Sequence, residues 1–412
     1  MLRAPHALRA FATVLPARLS YGTVSLSLML AVRDASGSYA VAGAVAALFG
    51  ATNVLLSPAR AALVDRHGPR RALAPMVSLY AALLAALTLA TWRPGTAPVW
   101  LGVLAACAGA CTPPLGPVMR TVWAELLDGD RRLLQRAYSL DGVAEELLFV
   151  SGPLLVGLIV QVGPAAAGIA VSAALIWTGT LAFLASPAVQ GRRRGEAVGG
   201  GGGGGRAAGR GAAQPVVVVA GVGLCVGALE LLFVAFAERA GRPDAVVWVL
   251  AAFSAGSAVG GLLYGAVPWR SSARSRLPVL AVALGLLSAA AGLAPGLPAL
   301  VGVAACAGLF VAPALTTAYL IADASVAPEL RTQAGAWVNT AVNAGLSVGA
   351  AAIGAMVGRA PLAWCFVGAA LAPVLAALAT LRRPRRAGGG VGDAAPVAEV
   401  VAVRQSSEPS SS

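Results

Sequence analysis

Apolar stretches about twenty residues long recur along the whole chain, and that recurrence constrains the fold more than any motif does. They fall at roughly 10–32, 39–59, 72–92, 97–119, 138–161, 165–186, 215–237, 245–268, 277–294, 298–321, 333–357 and 361–381. A helix rises about 1.5 Å per residue, so stretches of this length can cross the hydrocarbon core of a bilayer. Only 11% of the residues are charged, against about 25% in ordinary soluble domains. A water-soluble globule of 412 residues needs more polar surface than this composition holds. The first stretch follows Arg3 and Arg9 as a signal peptide would. Its length, the Arg18 inside it and the eleven stretches behind it predict a retained helix instead. The chain is therefore expected to be an all-α membrane protein with twelve transmembrane helices.

All 30 basic residues are arginines, and lysine is absent. A phosphate-cradling loop would lack its lysine, and a Schiff-base lysine is impossible. His6 and His67 both lie in polar flanks, so no histidine triad or histidine metal site is expected. Cys107, Cys111, Cys225, Cys306 and Cys365 all fall in apolar stretches and are expected to be small core residues. Neither an enzyme centre nor a metal or cofactor site is predicted.

A net charge of +13 would suggest nucleic acid in a soluble protein. Here its placement points to topology. With both termini inside, 24 arginines fall on inner segments. The outer loops hold five, Arg33, Arg93, Arg239, Arg242 and Arg359. The positive-inside rule then predicts a cytoplasmic membrane protein with both ends cytoplasmic and no nucleic-acid partner.

Residues 188–214 contain seven consecutive glycines, Gly199–Gly205, flanked by arginines, and are expected to be a flexible inner linker. That divides the chain into an N-terminal six-helix bundle over 1–187 and a C-terminal one over 215–381, with a polar tail over 382–412. The halves are related. Ala105-Ala106-Cys107-Ala108-Gly109 recurs as Ala304-Ala305-Cys306-Ala307-Gly308, and Pro114 is matched by Pro313. Ala137, Gly152 and Gly157 likewise register with Ala334, Gly349 and Gly354. Such a duplication predicts two bundles side by side around a cavity, complete in a monomer.

The loop after the second stretch reads Ala61-Ala62-Leu63-Val64-Asp65-Arg66-His67-Gly68-Pro69-Arg70-Arg71. It resembles the loop signature of the major facilitator superfamily, Gly-x-x-x-Asp-Arg-x-Gly-x-Arg-Arg. Asp65, Arg66, Gly68, Arg70 and Arg71 match, and Ala61 replaces the leading glycine. Gly68 suits a positive φ and Pro69 stops helix continuation. Asp65 can accept from Arg66 or Arg70, or face the N-terminus of a neighbouring helix. The resemblance implies contact with the start of the eleventh span and a lock on one conformation. The related loop after the eighth span lacks the aspartate, so a one-sided lock is expected. In the fifth span, Gly152, Pro153 and Gly157 resemble part of the family's antiporter motif, which implies a kink and export.

Ionisable residues inside spans are costly and are functional candidates. Glu230 lies in the seventh span, where it would suit a proton or cation site or sit near the outer interface. Arg18, Glu145 and Glu146 lie at similar depth, roughly 12 Å from the inner side, and Asp141 is one turn before Glu145. Arg18 either pairs with these acids or snorkels to the headgroups. Asn53, Asn339 and Asn343 either line the cavity or bond helix to helix. Together these features predict a secondary transporter that moves a small molecule by alternating access, coupled to protons and directed outward. An uptake permease, or a sensor or scaffold of the same fold, is the alternative.

Overall fold

The computed structural model describes residues 4–92, 95–190 and 212–381. Among them, twelve helices are long and apolar enough to span a membrane. The first six are α1 (Ala7–Ser36), α2 (Tyr39–His67), α3 (Pro69–Trp92), α4 (Pro98–Leu126), α5 (Arg131–Val162) and α6 (Ala166–Leu184). The second six are α7 (Ala213–Arg239), α8 (Pro243–Ala266), α9 (Ala273–Ala291), α10 (Leu297–Ala324), α11 (Pro328–Met356) and α12 (Leu362–Thr380). Each expected stretch corresponds to one helix. Most of the linker expected at 188–214, and the whole tail expected at 382–412, lie outside the described residues.

Local chemistry sets the helix ends. Ser38, Asp130 and Ser272 accept from the Val41, Leu133 and Ser275 amides and cap α2, α5 and α9. Gly68, at φ 80°, is the sole residue between α2 and α3. Pro69 opens α3 rather than merely ending α2, as a residue without an N–H can at a first helical position. α4 is broken at Thr112–Pro114, where the two prolines cannot donate, and resumes at Leu115. α10 is broken at the corresponding depth, between Gly308 and Val311.

The repeated residues occupy repeated contacts. A Cβ on Gly109 would fall on the Phe49 carbonyl of α2, and one on Gly308 would fall on the Phe253 carbonyl of α8. Gly152 of α5 rests on Gly22 of α1, as Gly349 of α11 rests on Leu224 of α7. Helices in lipid gain little from hydrophobic exclusion, so such close backbone approach supplies much of their packing. The halves meet chiefly where α2 packs on α11 and α5 packs on α8.

The outer surface is apolar, with Leu89 and Leu293 among its most exposed residues. Trp92, Trp100, Trp248 and Trp364 are also exposed, and all sit at the helix ends opposite the Asp65 loop. They form an interfacial aromatic belt. Cys225 and Cys365 are buried, but Cys107 and Cys306 are exposed on that apolar surface. The core expected for all five cysteines therefore fails at the two repeat-related positions, because Gly109 and Gly308 claim the inward face of the same turn.

α5 runs unbroken through Pro153, and a Cβ on Gly157 would meet nothing within 4 Å, whereas one on Gly152 would lie 2.6 Å from the Gly22 Cα. Gly152→Ala should therefore cost about 1–3 kcal/mol through overpacking. Gly157→Ala should be neutral or slightly stabilising. Melting of the purified variants in one detergent would check both.

Candidate functional site

A cavity of about 770 Å³ lies between the halves, walled by α1, α2, α4, α5 and α11. Its base is at Arg18, Glu145 and the α4 break, and it extends past Leu28, Ala46 and Val348 toward the aromatic-belt end. This volume suits a drug-sized or metabolite-sized ligand.

Four charges close its base. Arg18 Nη1 donates to Asp141 Oδ1 at 2.6 Å, and Arg18 Nη2 lies 3.1 Å from Glu145 Oε2. Arg120 Nη2 donates to the same Glu145 Oε2 at 2.6 Å, and its Nε lies 3.1 Å from Asp141 Oδ2. Asp141 and Glu145 share a face of α5 because they are four residues apart. Arg18 and Arg120 reach that face from α1 and from the second segment of α4. Arg18, Arg120 and Asp141 are buried, while Glu145 is partly open to the cavity. Two cations and two anions leave no net charge, which is how the cost of burying each is offset. The Arg120 guanidinium also stacks 3.7 Å from the centroid of Tyr319 on α10, so the cluster touches the other half.

Arg18 thus sits in a buried ion pair and does not snorkel to headgroups. Glu146, next to Glu145, points elsewhere: its Oε1 accepts from Ser257 Oγ of α8 at 2.6 Å. Glu230 is exposed on α7, makes no hydrogen bond or ion pair among the described residues, and does not line the cavity. Asn53, Asn339 and Asn343 do line it. Asn339 accepts from Tyr319 Oη at 3.5 Å, and Asn343 donates to the Asn339 carbonyl at 2.8 Å.

Two arginines assigned to inner loops from the sequence belong to this site. Arg120 completes the ionic set. Arg60 lies inside α2, where Nη1 donates to the Gly109 and Ala110 carbonyls at 2.8 and 3.1 Å. Its Nη2 donates to the carbonyl and Oδ1 of Asn53 at 2.7 and 2.8 Å. The available signal was the apolar run around each, Leu55–Ala62 and Leu115–Trp123, which carries the helices past the assigned span ends.

The face bearing the Asp65 loop is closed. Asp65 Oδ2 accepts from the Gln333 amide at 2.9 Å, in the first turn of regular helix in α11. This is the helix-terminus alternative among those open to Asp65, and the positive helix end favours it. Arg66, Arg70 and Arg71 are exposed. Thr121 and Thr332 bond across the halves at 3.1 Å. On the related side, Gln135 Nε2 donates to the Tyr264 carbonyl at 2.7 Å, and Arg136 Nε to the Gly265 carbonyl at 3.3 Å. The closure is therefore two-sided, contrary to the sequence expectation. On that side main-chain carbonyls near the end of α8 accept the bonds, as the Asp65 carboxylate does on the other.

Removing one member of the ionic set strands an opposite charge. Arg120→Ala should destabilise the fold by about 3–5 kcal/mol, read as a fall in melting temperature. Arg120→Lys should recover only part, since an ammonium cannot bridge both carboxylates as the planar fork does.

The model of the Major Facilitator Superfamily matches residues 10–238, more than half of the chain. A multidrug resistance protein, MdtG of Rahnella sp. (strain Y9602), is 28% identical over 149 residues, which cover 35% of this chain and 34% of that protein. The chain thus spans about a third of that curated relative. A bacterial homologue of the iron transporter ferroportin, in an outward-facing state, superposes with a TM-score of 0.72 at 12% identity, covering 91% of this chain and 98% of the other. The human organic anion transporter MFSD10 (TETRAN) gives 0.69 at 14% identity, covering 90% and 98%. Twelve spans in two related six-helix bundles, a cavity between them and the family match agree: the chain belongs to the major facilitator superfamily, whose members are secondary transporters that move small molecules across the bilayer by alternating access.

Proposed function

We propose that the chain is a proton-coupled exporter of small molecules, acting as a monomer in the cytoplasmic membrane with both termini inside. The observation that carries the coupling is Glu146. It is a carboxylate at mid-depth with a hydroxyl partner, Ser257, and no ion pair among the described residues. Asp141 and Glu145 each pair with two arginines. Glu146 has no such cation, so it is the acidic group of α5 best suited to gain and lose a proton during transport.

Ser257 lies on α8, so the Glu146 bond joins the two halves. As a carboxylate, Glu146 accepts a charge-assisted bond from the hydroxyl. As an acid, it keeps only a neutral one, which is weaker. Protonation of Glu146 would thus loosen α5 from α8 and shift the balance between conformations. Arginine placement supports the orientation, with the closed face inside and the cavity open outward. Opening to the inside would break the bonds of Asp65, Gln135 and Arg136 and expose the same cavity to cytoplasmic substrate. Export is supported by the resemblance in α5 and by the partial likeness to a multidrug resistance protein.

Inverted vesicles carrying the protein should accumulate substrate when the lumen is made acidic. A panel of anionic, neutral and cationic compounds that shows no such movement would overturn the assignment. Glu146→Gln keeps an acceptor for Ser257 but cannot titrate. It should leave substrate exchange in place and abolish accumulation driven by the pH gradient.

Asp65→Asn exchanges a charge-assisted bond to Gln333 for a neutral one, a loss of about 1 kcal/mol. The population closed on this face should fall roughly fivefold relative to its alternative. Spin-label distances across the α2–α11 ends would report the change.

A further inference from the structure

The charges at the cavity do not cancel. Three charged residues line it, Arg18, Arg60 and Glu145. Arg18 and Glu145 belong to the closed set completed by Asp141 and Arg120, whose sum is zero. Arg60 is the remainder. No carboxylate ion pair reaches it among the described residues, and its four hydrogen bonds all go to neutral oxygens. Those oxygens offset part of the desolvation cost and leave the unit charge in place. The Arg60 residue is 7% exposed, and its buried Nε has no partner. An uncompensated cation at this depth is the costliest kind of side chain to keep in a membrane.

Architecture alone does not demand it. Arg60 caps the carbonyls where α4 breaks, which would be a sufficient structural reason if every such break needed a cation. The repeat provides the comparison. Gly109 rests on Phe49 as Gly308 rests on Phe253, and eleven residues on from each phenylalanine come Arg60 and Tyr264. α10 makes its break with no charged side chain bonded to its carbonyls among the described residues, and the neutral phenol of Tyr264 bonds Thr317, further along α10, at 2.6 Å. The cation is specific to the half that supplies most of the cavity wall.

We propose that the cavity takes an organic anion, a carboxylate or similar compact acidic group on an apolar body, with Arg60 as its counter-ion. The acidic group would sit beside Arg60, Asn53 and the α4 break. Its apolar body would lie against Phe49, Leu55, Phe149 and Val348, which line the same space. A bound monoanion brings the net charge at the cavity to zero, so the loaded site meets the bilayer as a neutral body while the halves rock. The proposal rests on the transporter assignment and names the substrate class for the same cavity.

Dansylglycine and its neutral amide differ by one charge at nearly the same shape. Equilibrium binding of each to the full chain in nanodiscs, against empty nanodiscs, tests the proposal without requiring transport. The expected result is saturable binding of dansylglycine, at least tenfold tighter than the amide. Arg60→Gln should remove that preference and Arg60→Lys should keep it. The comparison of acid with amide on the unmodified protein stands even if a variant does not fold. Equal binding of the two probes, no saturable binding of dansylglycine, or a preference that survives Arg60→Gln would overturn the assignment. If ethidium is bound and moved while dansylglycine is not, the transporter assignment stands and the anionic substrate class falls.

Discussion

A bilayer opposes charge at mid-depth, and the ring of Arg18, Asp141, Arg120 and Glu145 is where this chain meets that constraint most fully. Each arginine touches both carboxylates, so no member can leave without stranding an opposite charge. The ring ties α1, α4 and α5 into one body. Packing supports the same union, with Gly22 of α1 against α5 at backbone distance. The ring lies at the base of the cavity, so the site has a rigid floor. The second half reaches that floor with neutral groups, the Tyr319 ring and Asn339.

The two halves repeat their packing but not their chemistry. Glycines on α4 and α10, and on α5 and α11, receive a neighbouring backbone in the same way. A glycine contact concerns shape, which both halves must satisfy to hold six helices together. Charge carries no such requirement twice over. The ionic ring and Arg60 are confined to the first half, while Tyr264 takes the place of Arg60 in the second. The closed face divides similarly, with a carboxylate on one side and main-chain carbonyls on the other.

The fold was legible because lipid imposes a length and a composition on every spanning helix, and both can be counted. The Asp65 loop was legible because a one-residue turn needs Gly68 and a helix terminus needs an acceptor. The depth of arginines was less so. Arg60 and Arg120 each lie near the end of an apolar run, where a hydropathy boundary cannot separate a loop arginine from a buried one. Only tertiary partners settle it: Asn53 and the α4 carbonyls for Arg60, α5 for Arg120. Glu145 and Glu146 show the same limit. Adjacent residues point about 100° apart on a helix, so one joins the ring and the other crosses to α8, and sequence alone left them equivalent. The second side of the closure was hidden because carbonyls carry no residue signature.

The division between ionic bonds within a half and single hydrogen bonds between halves makes the closed face reversible. Among the described residues, at least six hydrogen bonds join the halves there: Gln333 to Asp65, Thr121 with Thr332, Gln135 to the Tyr264 and Val267 carbonyls, Arg136 to the Gly265 carbonyl, and Arg276 to Gln135. At about 0.5–1.5 kcal/mol each, six such bonds sum to roughly 3–9 kcal/mol. Turning a two-state equilibrium from one side to the other takes about 5.5 kcal/mol, so the closure is of a size that ligand and proton together can overcome. Had the ionic ring bridged the halves instead, opening would have exposed unpaired charges to lipid, and the barrier would have exceeded what differential binding supplies. Keeping the strong bonds inside one bundle therefore lets the weak ones between bundles act as the switch.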